Sequence, residues 1–259
     1  MKILFYQIDA FTDTVFSGNP AAVCPLEEWP DDNLLQNIGA ENNLSETAFF
    51  VQKGKIFELR WFTPEMEVDL CGHATLASAY VIFHELNLPL EEIQFSTRSG
   101  MLKVRREGDL FSLDFPATPP LSVDPPQRLS EGLGLSPLAV FKSRDYLAVY
   151  SSEEHVRSIQ PDFGLLKTLD GLGVCITAPG EDVDFVSRFF APKAGVPEDP
   201  VTGSAHTTLI PYWAKELNKQ KLHARQISRR GGELFCEDRG ERVIISGRAV
   251  KFSEGFIFV

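Results

Sequence analysis

Two rhythms of apolar and polar positions run along the chain. Short apolar or alternating runs predict strands over residues 2–11, 47–51 and 56–62, the last two joined around Lys53-Gly54. Two other segments are apolar or small nearly all round. One covers residues 72–86, with Ala74, Leu76, Ala77, Ala79, Val81 and Ile82; the other covers 203–217, with Ala205, Leu209, Ile210, Trp213 and Ala214. Both read as helices that open at a glycine. A helix lacking a polar face must be enclosed. After each helix, alternation predicts a hairpin, 101–105 with 110–115 and 233–237 with 242–246.

The two sets of elements are copies of one another. Ser96-Thr97-Arg98-Ser99-Gly100-Met101-Leu102 returns as Ser228-Arg229-Arg230-Gly231-Gly232-Glu233-Leu234, an offset of 132 that also carries the turn Gly108 onto Gly240. Upstream, Gly72-His73-Ala74 returns as Gly203-Ser204-Ala205 and Glu85-Leu86-Asn87 as Glu216-Leu217-Asn218, both at 131. Arg60-Trp61-Phe62-Thr63-Pro64 is echoed by Arg188-Phe189-Phe190-Ala191-Pro192. A repeat held this long predicts two homologous halves. The prolines from Phe115-Pro116-Ala117-Thr118-Pro119-Pro120 to Pro126 resist helix and central strand, and read as linker. The expected organisation is therefore residues 1–117 and 118–259, with the C-terminal strand free to pack back on the first half. The expected class is α+β: in each half a curved, barrel-like sheet wrapped round one central helix.

Composition narrows the function. Of 259 residues 43% are hydrophobic, 20 of them Phe, ample for a sizeable core. Lys and Arg number 25 against 36 Asp and Glu, a net charge of −11. Nucleic acid and anionic membrane need clustered cations, so neither partner is expected. The N-terminus turns polar too early for a signal peptide, and the apolar stretch 74–83 is too short to span a bilayer. Cys24, Cys71, Cys175 and Cys236 are scattered without CxxC spacing, which indicates neither a disulfide framework nor a zinc site. A cytoplasmic protein is expected.

Candidate chemistry gathers at the helix starts. The loops Asp69-Leu70-Cys71-Gly72-His73 and Asp199-Pro200-Val201-Thr202-Gly203-Ser204 each lead into a central helix, whose first N–H groups and dipole suit an anion such as a carboxylate. Either loop alone is equally an ordinary helix start; the repeat is what makes the pair notable. Glu46 enters a strand apolar on both faces and shares its side with Ala48 and Phe50. Partial desolvation there would raise the carboxyl pKa toward the range a general acid/base needs. The pattern alone also admits a plain strand-end glutamate. His155 and His206 carry no motif, and Thr202-Gly203-Ser204-Ala205 lacks the G-x-S-x-G elbow of a serine hydrolase.

Four segments together resemble a known family. Phe16-Ser17-Gly18-Asn19-Pro20-Ala21-Ala22-Val23 is similar to the F-x-G-N-P-x-A-V opening of PhzF-like proteins, relatives of the phenazine-biosynthesis isomerase. Asn43-Leu44-Ser45-Glu46-Thr47-Ala48-Phe49 resembles their catalytic-glutamate segment, Leu70-Cys71-Gly72-His73-Ala74-Thr75 their G-H helix start, and Glu198-Asp199-Pro200-Val201-Thr202-Gly203-Ser204-Ala205 their D-P-x-T-G-S-A motif. The resemblance spans essentially the whole chain. It implies the diaminopimelate-epimerase fold, a site between two similar halves, and proton transfer without metal, PLP or flavin. Carried over by position, it makes Glu46, His73 and Asp199 catalytic and puts Asn19, Ser45, Cys71, Gly72, Gly203 and Ser204 around the substrate. It also implies a small carboxylated metabolite as substrate and a homodimer. Diaminopimelate epimerases have a cysteine in each half; here Cys71 has Thr202 as its counterpart, so the second thiol is missing. Three readings follow: a one-carboxyl isomerase, an epimerase or racemase using Cys71 with a carboxylate, and a silent ligand-binding relative.

Overall fold

A computed structural model describes residues 1–259. In chain order its first elements are β1 (Lys2–Ala10), β2 (Asn19–Leu26), α1 (Asp32–Asn42), β3 (Glu46–Lys53), β4 (Ile56–Phe62), β5 (Glu67–Val68), α2 (Gly72–Tyr80), β6 (Glu92–Thr97), β7 (Gly100–Glu107) and β8 (Leu110–Pro116). They are followed by β9 (Leu121–Ser122), α3 (Gln127–Leu133), β10 (Ala139–Lys142), β11 (Tyr146–Val149), α4 (Glu153–Ser158), α5 (Phe163–Leu166), β12 (Val174–Pro179), β13 (Phe185–Ala191) and β14 (Val196–Asp199). The last are α6 (Gly203–Leu217), β15 (Lys221–Gln226), β16 (Gly232–Asp238), β17 (Arg242–Gly247) and β18 (Ala249–Phe258). The chain forms two compact units, Met1–Asp114 with Ser246–Val259, and Phe115–Ile245.

In the first unit β1 pairs antiparallel with both β18 and β2. The parallel pair β2–β3 follows, then antiparallel β3–β4, parallel β4–β6, and the antiparallel meander β6–β7–β8. One face of this mixed sheet takes α2, which packs on β1, β2, β3 and β18. Every residue from His73 to Ala79 is buried, as a helix without a polar face requires. The other face takes α1, over a core of Ile3, Cys24, Leu35, Ile38, Phe49 and Phe62. Phe49 belongs to that outer core, so by alternation Ala48, Phe50 and Glu46 lie on the α2 side.

The second unit repeats the plan. Its order β11–β12–β13–β15–β16 matches β2–β3–β4–β6–β7 in sense as well as sequence, parallel, antiparallel, parallel, antiparallel. Here α6 takes the inner face, where Trp213 stacks on Phe185 with centroids 5.7 Å apart and donates its Nε1–H to Thr177 Oγ1. The outer face is covered by α3, α4 and α5 over Leu129, Leu133, Val156, Leu166 and Phe190.

Three local expectations are corrected. The predicted helix 72–86 is α-helical only to Tyr80, and residues Val81–Glu85 widen into a π turn closed by Leu86 N–H to Val81 O. The likeness of residues 96–100 to 228–232 does not follow strand register. Thr97 faces Gly100 across a two-residue turn, whereas Gly232 faces Gln226 across five residues, so Ser228 lies in a turn and the strand offset there is 129. Finally, α1, α3, α4 and α5 and strands β2, β10, β11 and β12 have no counterpart in the predicted elements.

Candidate active site

The loop from β1 to β2 brings Asn19 into the first unit's interior. Gly18 makes this possible: its φ is +67°, and a Cβ there would stand 2.2 Å from Ala10 O. Asn19 is fully buried at the start of β2, and its Nδ2 donates to His73 Nδ1 at 3.1 Å. An amide nitrogen only donates, so Nδ1 is the acceptor and the neutral ring carries its hydrogen on Nε2. Burial pulls the His73 pKa down to about 3, so the ring is neutral at ordinary pH.

Glu46 begins β3, paired with Ala21 of β2. Its Oε2 lies 3.2 Å from His73 Nε2, off the line of a good hydrogen bond, and its side chain is 18% exposed. Ser45 precedes it and is half-buried. Cys71 precedes α2; its thiol is buried, 3.5 Å from His73 Nδ1. Asn19, Glu46, Cys71, Gly72 and His73 are thus gathered at one helix start. The Cys71 side chain does not cap that helix.

Glu46, Cys71 and His73 have the chemistry of a metal site, with donor atoms within 4.8 Å of one another. They fit one poorly. Glu46 stands at Nε2 and Cys71 at Nδ1, and one ion cannot use the in-plane lone pair of one ring nitrogen while meeting donors at opposite edges.

In the second unit the loop before α6 is tied to a buried glutamine. Gln226, at the end of β15, accepts from Thr202 N–H at 2.8 Å and donates through Nε2 to Asp199 O at 2.7 Å and Thr202 Oγ1 at 3.1 Å. The Thr202 hydroxyl in turn donates to Asp199 Oδ2 at 2.5 Å. Asp199, Gly203 and Ser204 therefore stand together at this helix start, and Thr202, at the Cys71 position, orients the Asp199 carboxyl. His206 one turn later donates Nδ1–H to Thr202 O at 2.8 Å and is neutral, with burial lowering its pKa to about 4.

Both loops carry the same brace. Arg60 of β4 forks onto Glu67 of β5 at 2.8 and 2.7 Å, and Arg188 of β13 forks onto Glu198 of β14 at 2.7 and 3.0 Å. Two parallel N–H···O bonds fix direction as well as distance. Sequence reasoning aligned Arg60 with Arg188 but missed their partners, which the helix-start offset of 131 pairs as Glu67 with Glu198. It missed Gln226 entirely, because the inserted turn residues hide that strand end from any fixed offset.

The family model described as phenazine biosynthesis-like protein matches residues 8–255. An uncharacterised isomerase of Pseudomonas aeruginosa is 53% identical over 98% of both chains. A crystal structure of a PhzF-family phenazine biosynthesis protein from Enterococcus faecalis superposes with a TM-score of 0.98 at 48% identity, covering 100% of both. The fold alone extends to a probable proline racemase of Agrobacterium radiobacter, TM-score 0.66 at 10% identity, over 99% of this chain and 93% of that one. The chain belongs to the phenazine biosynthesis-like (PhzF) family, in the company of relatives named as isomerases.

Proposed function

We propose that this isomerase shifts a proton on a small carboxylated substrate, with Glu46 as its general acid and base and without a cofactor. The observation that carries the reading is the Glu46 carboxyl, largely withdrawn from water and 3.2 Å from a neutral buried imidazole at a helix start. A neutral His73 with its hydrogen on Nε2 is no base toward Glu46. Its Nε2–H faces the carboxyl at 3.2 Å, and alignment of the two on substrate binding would stabilise the carboxylate form. One carboxyl can take a proton from a carbon and return it to another on the same face, so a second base is unnecessary. In this reading Asp199, held by Thr202, polarises or relays, while Ser204 and the glycines Gly72 and Gly203 bind substrate. A homodimeric, cytoplasmic enzyme belongs to the same reading.

The epimerase alternative pairs Cys71 with a carboxylate. Two bases inverting a carbon must face it from opposite sides, each about 3–3.5 Å away. Glu46 and Cys71 have their reactive atoms within 4.8 Å of each other, too close to enclose a tetrahedral carbon. That spacing favours the single-carboxyl isomerase over a Cys71–Glu46 pair.

The test is incubation with a panel of small unsaturated and keto carboxylates in heavy water. Wild type should place deuterium in at least one of them. Glu46→Gln should lose that exchange by about 10²–10⁴-fold, the usual worth of a positioned acid/base. Cys71→Ala should lose much less. Full turnover by Glu46→Gln would overturn the assignment, and near-complete loss in Cys71→Ala would revive the thiol. Ligand-induced stabilisation with no exchange for any substrate would favour the silent relative.

A further inference from the structure

The two units differ where their repeat would make them alike. Strand register makes Thr47 equivalent to Val174, since they face Phe62 and Phe190 in matching strands, and so Gly173 takes the place of Glu46. No carboxyl stands there. Instead Gly173 donates its backbone N–H to Asp145 Oδ1 at 2.9 Å, from the residue just before β11. Asp145 is buried, and its Oδ2 accepts from Arg144 Nε at 3.0 Å and Nη2 at 2.7 Å. The same Nη2 donates to Ser204 Oγ at 3.0 Å. Ser204 and His73 are both the second residue of their helices. One helix start thus receives a carboxylate, the other a guanidinium.

Arg144 is built to meet an anion. Its side chain is 53% exposed, so the group is open to a ligand, yet the buried Asp145 fixes its orientation. These contacts commit Nε and Nη2 and leave both Nη1 hydrogens uncommitted. A guanidinium can pair with a second acceptor along that free edge. The need is clear from the charge. A protein of net charge −11 repels a carboxylate at long range, and a local cation reverses the sign at short range.

We propose that Arg144, with Ser204, forms a carboxylate-binding site at the start of α6, within the second unit. This rests on the isomerase reading above and adds to it the residue that selects the substrate's charge.

Calorimetric titration of the full chain with benzoate, a planar carboxylate probe, and with benzamide, its neutral analogue, tests the assignment. Wild type should bind benzoate more tightly than benzamide. Arg144→Gln should weaken benzoate by about ten-fold or more, as loss of a charge-assisted bond does, and leave benzamide within about two-fold. Arg144→Lys should fall between, which keeps the test open should the glutamine variant fold poorly. The proposal fails if wild type does not prefer benzoate, if both Arg144 variants bind it within about two-fold of wild type, or if both probes weaken together. Because binding is read without turnover, the proton-shift reading can fail separately, through absent deuterium exchange.

Discussion

His73 and His206 are alike in being enclosed, neutral and tied by one ring nitrogen to a partner near the start of their helices. Each has its pKa pulled down by burial, to about 3 and about 4, from an ordinary value of 6.5. The unfolded chain therefore binds protons at these residues from about pH 6.5 downward while the native protein does not. Stability from the two histidines is complete above pH 6.5 and drains away as the pH falls toward 4 and 3. Urea midpoints should drop between pH 7.5 and 5, and His206→Gln should flatten that slope; an unchanged slope would contradict the enclosure. Gln226 makes a second prediction. Replacing it with Leu strands the Thr202 N–H and the Asp199 carbonyl without partners. Buried unsatisfied groups cost about 1–3 kcal/mol each, so a loss of about 2–3 kcal/mol is expected by denaturant titration. A loss below about 0.5 kcal/mol would mean the loop is held by other contacts.

Among the elements, the loops that deliver side chains to the helix starts depend on features of different visibility. The β1–β2 loop requires Gly18, at φ +67° and against Ala10 O; Gly54, at φ +64°, has nothing near its missing Cβ. Ala at Gly54 should cost about 1 kcal/mol, the left-handed penalty alone. Ala at Gly18 should cost clearly more and displace Asn19 from His73. Comparing the two melting temperatures separates close approach from backbone freedom, and equal losses would remove the special role of Gly18. The outer helix α1 was legible in principle, since Asp31 caps it, Leu35 and Ile38 are its buried face, and Asn43 ends it in the left-handed region at φ 49°. Its short, weakly patterned face was outweighed by the strands around it. The π turn after α2 left no mark in the apolar pattern, because residues Val81, Ile82 and Phe83 are buried in either geometry.

For the molecule as a whole, the duplicated order of strands is the main constraint, and the C-terminal strand β18 has a particular place in it. It runs the full length of β1 in antiparallel register, with one bulge between Gln7 and Ile8. Deleting residues 249–259 should leave β1 with an unpaired edge and expose one side of α2, so that the shortened chain is insoluble or molten by near-ultraviolet dichroism. A native spectrum would show that β18 is dispensable. No helix is long and apolar enough to cross a membrane. The sequence by itself determined the two central helices, the repeat, the glycine-led helix starts and the candidacy of Glu46, because periodicity, motif and the rarity of a carboxyl in an apolar strand are local properties. Tertiary structure alone decided that the His73 ring stands between Glu46 and Cys71, that Gln226 holds Asp199 through Thr202, and that Arg144 meets Ser204. Those contacts join residues 24 to 60 positions apart or turn on a side chain's final direction, and both depend on strand register rather than on any spacing along the chain.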